Sequence, residues 1–195
     1  MFSLAYPLVD TTEVDGVTYP LDLSFDNVLR LIDMLGDKEL SDVVQVETGL
    51  VMLLGEELEC EIDRKANIFY SLYEKVILGE AKVEQAVDIK GNPMPTVSKD
   101  DETVYSLIED AEYIYASFMQ DYGMDLFEYQ GKLHWNKFQA LLSGLRDDTK
   151  FKKVMEIRQM ELPTGKGSEK QRKAVLDAKK VYALKGQSID EDDPS

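Results

Sequence analysis

The apolar positions start in a two-residue rhythm and then change to a helical one. In TTEVDGVTYPLDL (11–23), apolar and β-favouring residues lie on both sides of Asp15-Gly16. Asp-Gly supplies the positive φ of a two-residue turn, so a β-hairpin is predicted. Pro20 cannot donate to a ladder, so the second strand is an edge or ends there. Such a pair is not stable alone and must lean on helices.

From residue 24 the spacing is helical. Ser24 is a candidate N-cap, with Phe25, Val28, Leu29, Ile32 and Leu35 on one face up to Gly36. Ser41 is placed to cap a second helix carrying Val43, Val44, Leu50, Val51 and Leu54, with Gly49 in its middle. A third carries Ile62, Ala66, Phe69, Tyr73, Val76 and Ile77 and stops at Gly79. Residues 79–100, with GNPMPTVSKDD, read as a surface loop. Val104, Leu107, Ile108, Ala111, Ile114, Tyr115, Phe118, Met119 and Tyr122 then predict a long helix over 103–122, with Asp101 as cap and Gly123 as stop. After a short element at 125–129, KLHWNKFQALLSGL predicts a helix with Trp135, Phe138, Leu141, Leu142 and Leu145 inward. Asp147 or Asp148 caps the next helix, which turns Phe151, Val154, Met155 and Leu162 inward and ends at Pro163. PTGKGS is a linker. Ser168 caps a last helix with Ala174, Val175, Ala178, Val181 and Tyr182 on one face and Lys170, Arg172, Lys173, Lys179 and Lys180 on the other.

The expected architecture is mainly α: a single helical domain of six to seven helices with an N-terminal hairpin. Its parts are a hairpin over 1–23, a helical core over 24–163, a basic helix over 164–185 and a disordered acidic tail over 186–195. At 195 residues and 44% apolar, the chain can bury one sizeable core. No apolar run approaches a membrane span. Pro7, Asp10 and the lack of a basic start make the first ten residues a poor export signal.

Charge refines this picture. The net charge of −16 disfavours nucleic acid and anionic membrane as partners. It is uneven: residues 1–144 carry −18, residues 145–185 carry +6 and residues 186–195 carry −4. A basic helix against an acidic body implies docking within one chain or self-association between copies.

The inventory for chemistry is thin. One His and one Cys cannot build a common zinc site, and Cys60 reads as a helix-edge residue. PTGKGSEKQRK lacks the spacing of a phosphate loop. Glu109, Asp110 and Glu112 read as the solvated side of their helix. His134 beside Trp135 has no marked nucleophile or orienting partner, so it reads as packing or capping. No catalytic, cofactor or metal residue is assigned, and the chain is expected not to be an enzyme.

The stretch DAEYIYASFMQDYGMDLFEYQGKLHWNKFQALLSGLRDDTKFKKVMEIRQMELP (110–163) resembles a family of tailed-phage proteins from Gram-positive hosts. The likeness rests on IYASFMQDYGMDL, LHWNKFQALLSGL, TKFKKVMEIRQMELP and the final KKVYAL, and the hairpin VDGVTYPLD fits the family's beginning. It covers most of the chain and is strongest over 110–185. Members are encoded between the major tail protein and the tape measure protein and look like tail assembly chaperones. The resemblance therefore implies binding to the tape measure protein, with the major tail protein as a further partner, self-association, and action in the host cytoplasm with absence from the mature virion. It carries over no catalytic residue and no cofactor. Met119, Tyr122, Met124, Phe127 and Met155 suit an adaptable helix-binding groove, and Lys170, Lys173, Lys179 and Lys180 offer a charged contact. The rival readings are a structural virion component of the tail or head–tail connector, and an acidic inhibitor that mimics nucleic acid.

Overall fold

The computed structural model describes residues 3–78, 104–165 and 167–187. Among them, seven α-helices follow a two-stranded antiparallel hairpin, the mainly α class that the periodicity predicts. The loop read over 79–100, the cap read at Asp101 and the tail beyond Gln187 lie outside the described residues. Two compact units make up the chain: residues 1–97 with 129–140, and residues 98–128 with 141–195.

The first unit begins with β1 (Thr11–Val14) and β2 (Val17–Pro20), paired from Thr11↔Pro20 to Val14↔Val17. Asp15 and Gly16 take the positive φ values, 55° and 78°, that a two-residue turn requires. Pro20 is the last residue of its strand, and the Leu21 amide donates to the Asp10 carbonyl beyond it. Three helical elements follow: α1 (Phe25–Gly36), α2 (Asp42–Leu54) and α3 (Ile62–Leu72), the last extended by a wider π turn, Tyr73–Leu78.

The inward faces are rotated from the predicted ones. On α1 the buried positions are Phe25, Asn27, Val28 and Leu31, while Leu29, Ile32 and Leu35 are half-buried. Asn27 turns inward because its amide has work there: it donates to the Asp22 and Met52 carbonyls at 3.0 and 2.7 Å, joining α1 to α2. On α2 the inward set is Val46, Gly49, Leu50, Leu53 and Leu54; Val43, Val44 and Val51 face outward. Gly49 sets this rotation. A Cβ there would lie 2.5 Å from the Phe69 ring, so α3 approaches α2 only where Gly49 faces it. On α3 and its π turn, Phe69, Leu72 and Ile77 are buried, while Ile62, Ala66, Tyr73 and Val76 are half-buried.

Ser24 is the N-cap residue of α1, its carbonyl accepting from the Val28 amide, but its side chain makes no cap bond. Its hydroxyl donates to Asp22 Oδ1 at 2.6 Å, and its backbone pairs with His134 in an isolated bridge. The Phe25 amide donates to the Leu133 carbonyl, and the Trp135 amide to the Leu23 carbonyl. The bridge therefore holds the starts of α1 and α5 (Trp135–Ser143) side by side. Phe25, Phe138 and Trp135 stack in series behind it, with centroids 5.1 and 5.6 Å apart. The buried Trp135 indole N–H, which needs a partner once water is excluded, donates to the Ile77 carbonyl at 3.0 Å.

The second unit contains α4 (Ala111–Tyr122), α6 (Lys150–Gln159) and α7 (Glu169–Tyr182). The helix predicted over 103–122 begins at 111. Residues before it form a turn in which the Ser106 amide donates to the Asp110 carboxylate and the Glu109 amide to the Ser106 hydroxyl. Asp110, expected on the solvated side, is buried instead. It accepts two bonds from Arg158, at 2.6 and 2.7 Å. Arg158 also donates to the Tyr182 and Val104 carbonyls, so the buried pair has its polar atoms satisfied.

Neither Asp147 nor Asp148 is the N-cap of α6, which is Thr149. The Thr149 hydroxyl turns back to the Arg146 carbonyl, and the Phe151 amide donates instead to Ser117 of α4. One helix thus caps the next through a fully buried serine. The helix ends at Gln159, short of Pro163, with Phe151 and Val154 buried and Met155 and Leu162 half-buried. Ser168 precedes α7 without a side-chain cap bond.

Candidate partner-binding surface

In the second unit, α4 has two working faces. Ile114, Ser117 and Phe118 point inward. Tyr115, Met119 and Tyr122, at i, i+4 and i+7, share another stripe. Ile108 and Ala111, predicted inward, are also exposed. A 3₁₀ turn, Leu126–Tyr129, follows Gly123, whose φ of 60° lets the chain leave the helix. The turn lays the Phe127 ring on Tyr115, 5.5 Å between centroids. Phe127 is 69% exposed and Met119 42% exposed.

The strip is held from beneath. Tyr122 packs edge-on against buried Phe118 and donates its hydroxyl to the Leu141 carbonyl at 2.8 Å. Burial, with Asp121 beside it, pushes the Tyr122 hydroxyl above its ordinary pKa. Burial also raises that of Tyr115, helped by Asp125 and Glu128, so both hydroxyls stay neutral at physiological pH. Asp121 is engaged by Arg146, through the backbone amide at 2.8 Å and the guanidinium at 2.7 and 2.8 Å. Those bonds hold its carboxyl below the usual range. The result is a fixed aromatic and methionine strip beside Asp125, Glu128 and the Asp121–Arg146 pair.

Not every predicted binding residue joins the strip. Met119, Tyr122 and Phe127 come together there through Tyr115, which the sequence placed inward. Met124 and Met155 are half-buried. Lys170, Lys173 and Lys180 are exposed on α7, and Lys179 is half-buried. No residue of α7 is fully buried. The helix docks within the second unit through its C-terminal end: Tyr182 sits edge-on to Tyr113 and takes Lys150 over its ring at 4.4 Å. The Lys185 amide then donates to Glu109. Ala174 and Val181, predicted inward, are exposed, Val181 at 73%. Tyr182 makes the inward contacts of this end of the helix, and Val181, one residue before it, faces solvent.

His134 acts as a structural clasp in the first unit. Its Nδ1 accepts from the Asn136 amide at 3.0 Å, capping α5, and its Nε2 lies 3.3 Å from the Val9 carbonyl, placed to donate. Burial is the main cause that lowers its pKa, so the neutral ring suits both contacts. Among the described residues, no group of three or more His, Cys, Asp or Glu is placed to hold a metal ion. No described helix is long and apolar enough to cross a membrane.

The signal that could have located the strip was Gly123. A helix stop followed by Met124-Asp125-Leu126-Phe127 forces a sharp return, and a return places its aromatic against the helix just ended. The outward valines of α2 had no such signal, because their orientation depends on Gly49 meeting Phe69.

No curated protein and no solved structure matches the chain. The model of the family described as bacteriophage Gp15 protein matches residues 4–184, which takes in both strands and all seven helices. The chain belongs to the bacteriophage Gp15 protein family.

Proposed function

We propose that this phage protein is a non-enzymatic tail assembly chaperone that binds the tape measure protein, with the major tail protein as a second client. One observation carries the reading: the fixed strip of Tyr115, Met119, Tyr122 and Phe127, which exposes aromatic and methionine surface on a strongly acidic chain. Met and aromatic side chains adapt to varied helical clients. The negative charge keeps the chaperone and its complex soluble. Membership of a phage family and the resemblance of residues 110–163 to tail assembly chaperones support the same reading. The chaperone acts in the host cytoplasm and leaves before the virion is complete.

Co-expression with the cognate tape measure protein tests this. The expected result is a soluble tape measure protein that co-elutes with the chain, and purified virions that lack the chain by mass spectrometry. A tape measure protein that stays insoluble, with no complex, contradicts it. Stoichiometric recovery of the chain in virions would instead make it a structural component.

A further inference from the structure

The outward valines of α2 belong to a second surface, in the first unit. Val44, Thr48 and Val51 lie on one face at i, i+4 and i+7, and both valines are exposed. About 10 Å of helix, two turns, separates them. At its C-terminal end the face opens into a cleft of about 340 Å³, lined by α2, by the turn after it and by Lys65 of α3. Leu50, Val51 and Leu58 supply the apolar lining, and Glu47, Glu57 and Lys65 the charged one. Such a groove, beside two packed helices, fits the apolar stripe of a third.

The charge of the rim selects the occupant. GEELECE (55–61), the turn after α2, carries four exposed glutamates. None of the four makes a salt bridge among the described residues. The cations that follow are already engaged: Arg64 pairs with Asp15, and Lys65 with Glu47 at 2.7 Å. Glu61 is the N-cap of α3, where an acid is favourable. Glu56 and Glu57 have no such benefit. They follow the last turn of α2, which holds no basic residue and carries the negative end of the helix dipole. Carboxylates gathered there repel that end and one another. A cation supplied from outside relieves the repulsion, and an anion adds to it.

We propose that this face docks an amphipathic helix of a partner protein, apolar along one stripe, with Lys or Arg at the end that reaches Glu56 and Glu57. The stripe lies along Val44, Thr48 and Val51 and sets its last apolar side chain in the cleft. The site shares no residue with the strip of Tyr115, Met119, Tyr122 and Phe127, so it does not rest on the chaperone reading.

The probe is a dye-labelled synthetic helix with leucine on one face and lysine on the other, titrated with the full chain and followed by fluorescence anisotropy. It should bind, and its glutamate counterpart should not. Val51→Asp makes the chain more acidic, so charge attraction alone would tighten binding. Docking predicts binding about tenfold weaker instead. Glu56→Lys with Glu57→Lys should weaken it at least as much. Glu112→Lys with Glu156→Lys makes the same charge change at exposed positions of the second unit and should leave binding within about twofold. Phe127→Asp should leave it unchanged, which separates this site from the strip. Circular dichroism confirms that the variants fold; every altered side chain is exposed. A wild-type chain that does not bind the probe overturns the proposal. So does equal or tighter binding by Val51→Asp, a loss as large from the second-unit reversal as from the first, or a loss with Phe127→Asp.

Discussion

The two units are held together differently. Among the described residues, sixteen of the buried hydrophobic side chains lie in the first unit and seven in the second. The first is organised by apolar contact: the Phe25–Phe138–Trp135 stack, and Phe69 seated on Gly49. Its buried polar groups, Ser24 and Asn27, serve the backbone around that core. The second is organised by polar geometry: the Asp110–Arg158 pair, Asp121 on Arg146, and Ser117 capping α6. A smaller core makes each directed contact a larger share of the unit's stability. The exposed aromatic and methionine strip lies in that unit.

Two substitutions expose the difference most strongly. Trp135→Ala should cost about 3–5 kcal/mol through lost packing and a cavity. Arg158→Ala should cost a similar amount, about 3–5 kcal/mol, by leaving Asp110 buried and unpaired. Denaturant melts check both. Replacing Asp110 and Arg158 together by leucine should recover most of the loss, because the buried charge is then gone. Failure of the double variant to recover would show that Arg158 matters mainly for the carbonyls of Val104 and Tyr182.

A smaller effect is expected at Gly49. Gly49→Ala puts a methyl into the Phe69 ring and should cost about 1–3 kcal/mol. Ala is the better helix former, so a gain in stability at that site would contradict the close approach of α2 and α3.

The smallest effect is a difference in acid response. The folded state holds His134 below its ordinary pKa of 6.5, chiefly through burial. The unfolded chain then binds the proton more readily. The associated stability is complete above 6.5 and is lost as the pH falls below it through the folded value. The second unit has Asp121, held below its ordinary 3.8 by Arg146. Its contribution is present above 3.8 and is lost only as the pH falls further. Mild acid should therefore loosen the first unit before the second. Hydrogen exchange read at Phe25 and at Phe151 across this range checks the order, and His134→Gln should abolish the early step.

The sequence revealed the apolar anchors better than the buried polar ones. Periodicity locates a helix but not the neighbour that each face meets. Trp135, Phe138, Leu142 and Leu145 were legible because a large apolar residue at helical spacing has few places to go. Asp110 was not, because a buried carboxylate resembles a solvated one until its guanidinium partner, 48 residues away, comes into reach. The start of α4 was misplaced for the same reason: the turn before it is built around that carboxylate. Ser117 was silent because a serine inside a helix carries no mark of the helix it caps. The strip was half legible. Met119, Tyr122 and Phe127 were named from their chemistry, whereas Tyr115 was assigned inward because an amphipathic pattern does not distinguish a core stripe from an exposed one.

The central claim is that the strip of the second unit binds the client. Titration of a soluble tape measure fragment with the wild-type chain and with Phe127→Asp tests it most directly. An exposed anchoring aromatic contributes about 2 kcal/mol, so the variant should bind about thirtyfold more weakly while remaining folded. A fragment that binds both chains with equal affinity would contradict the account.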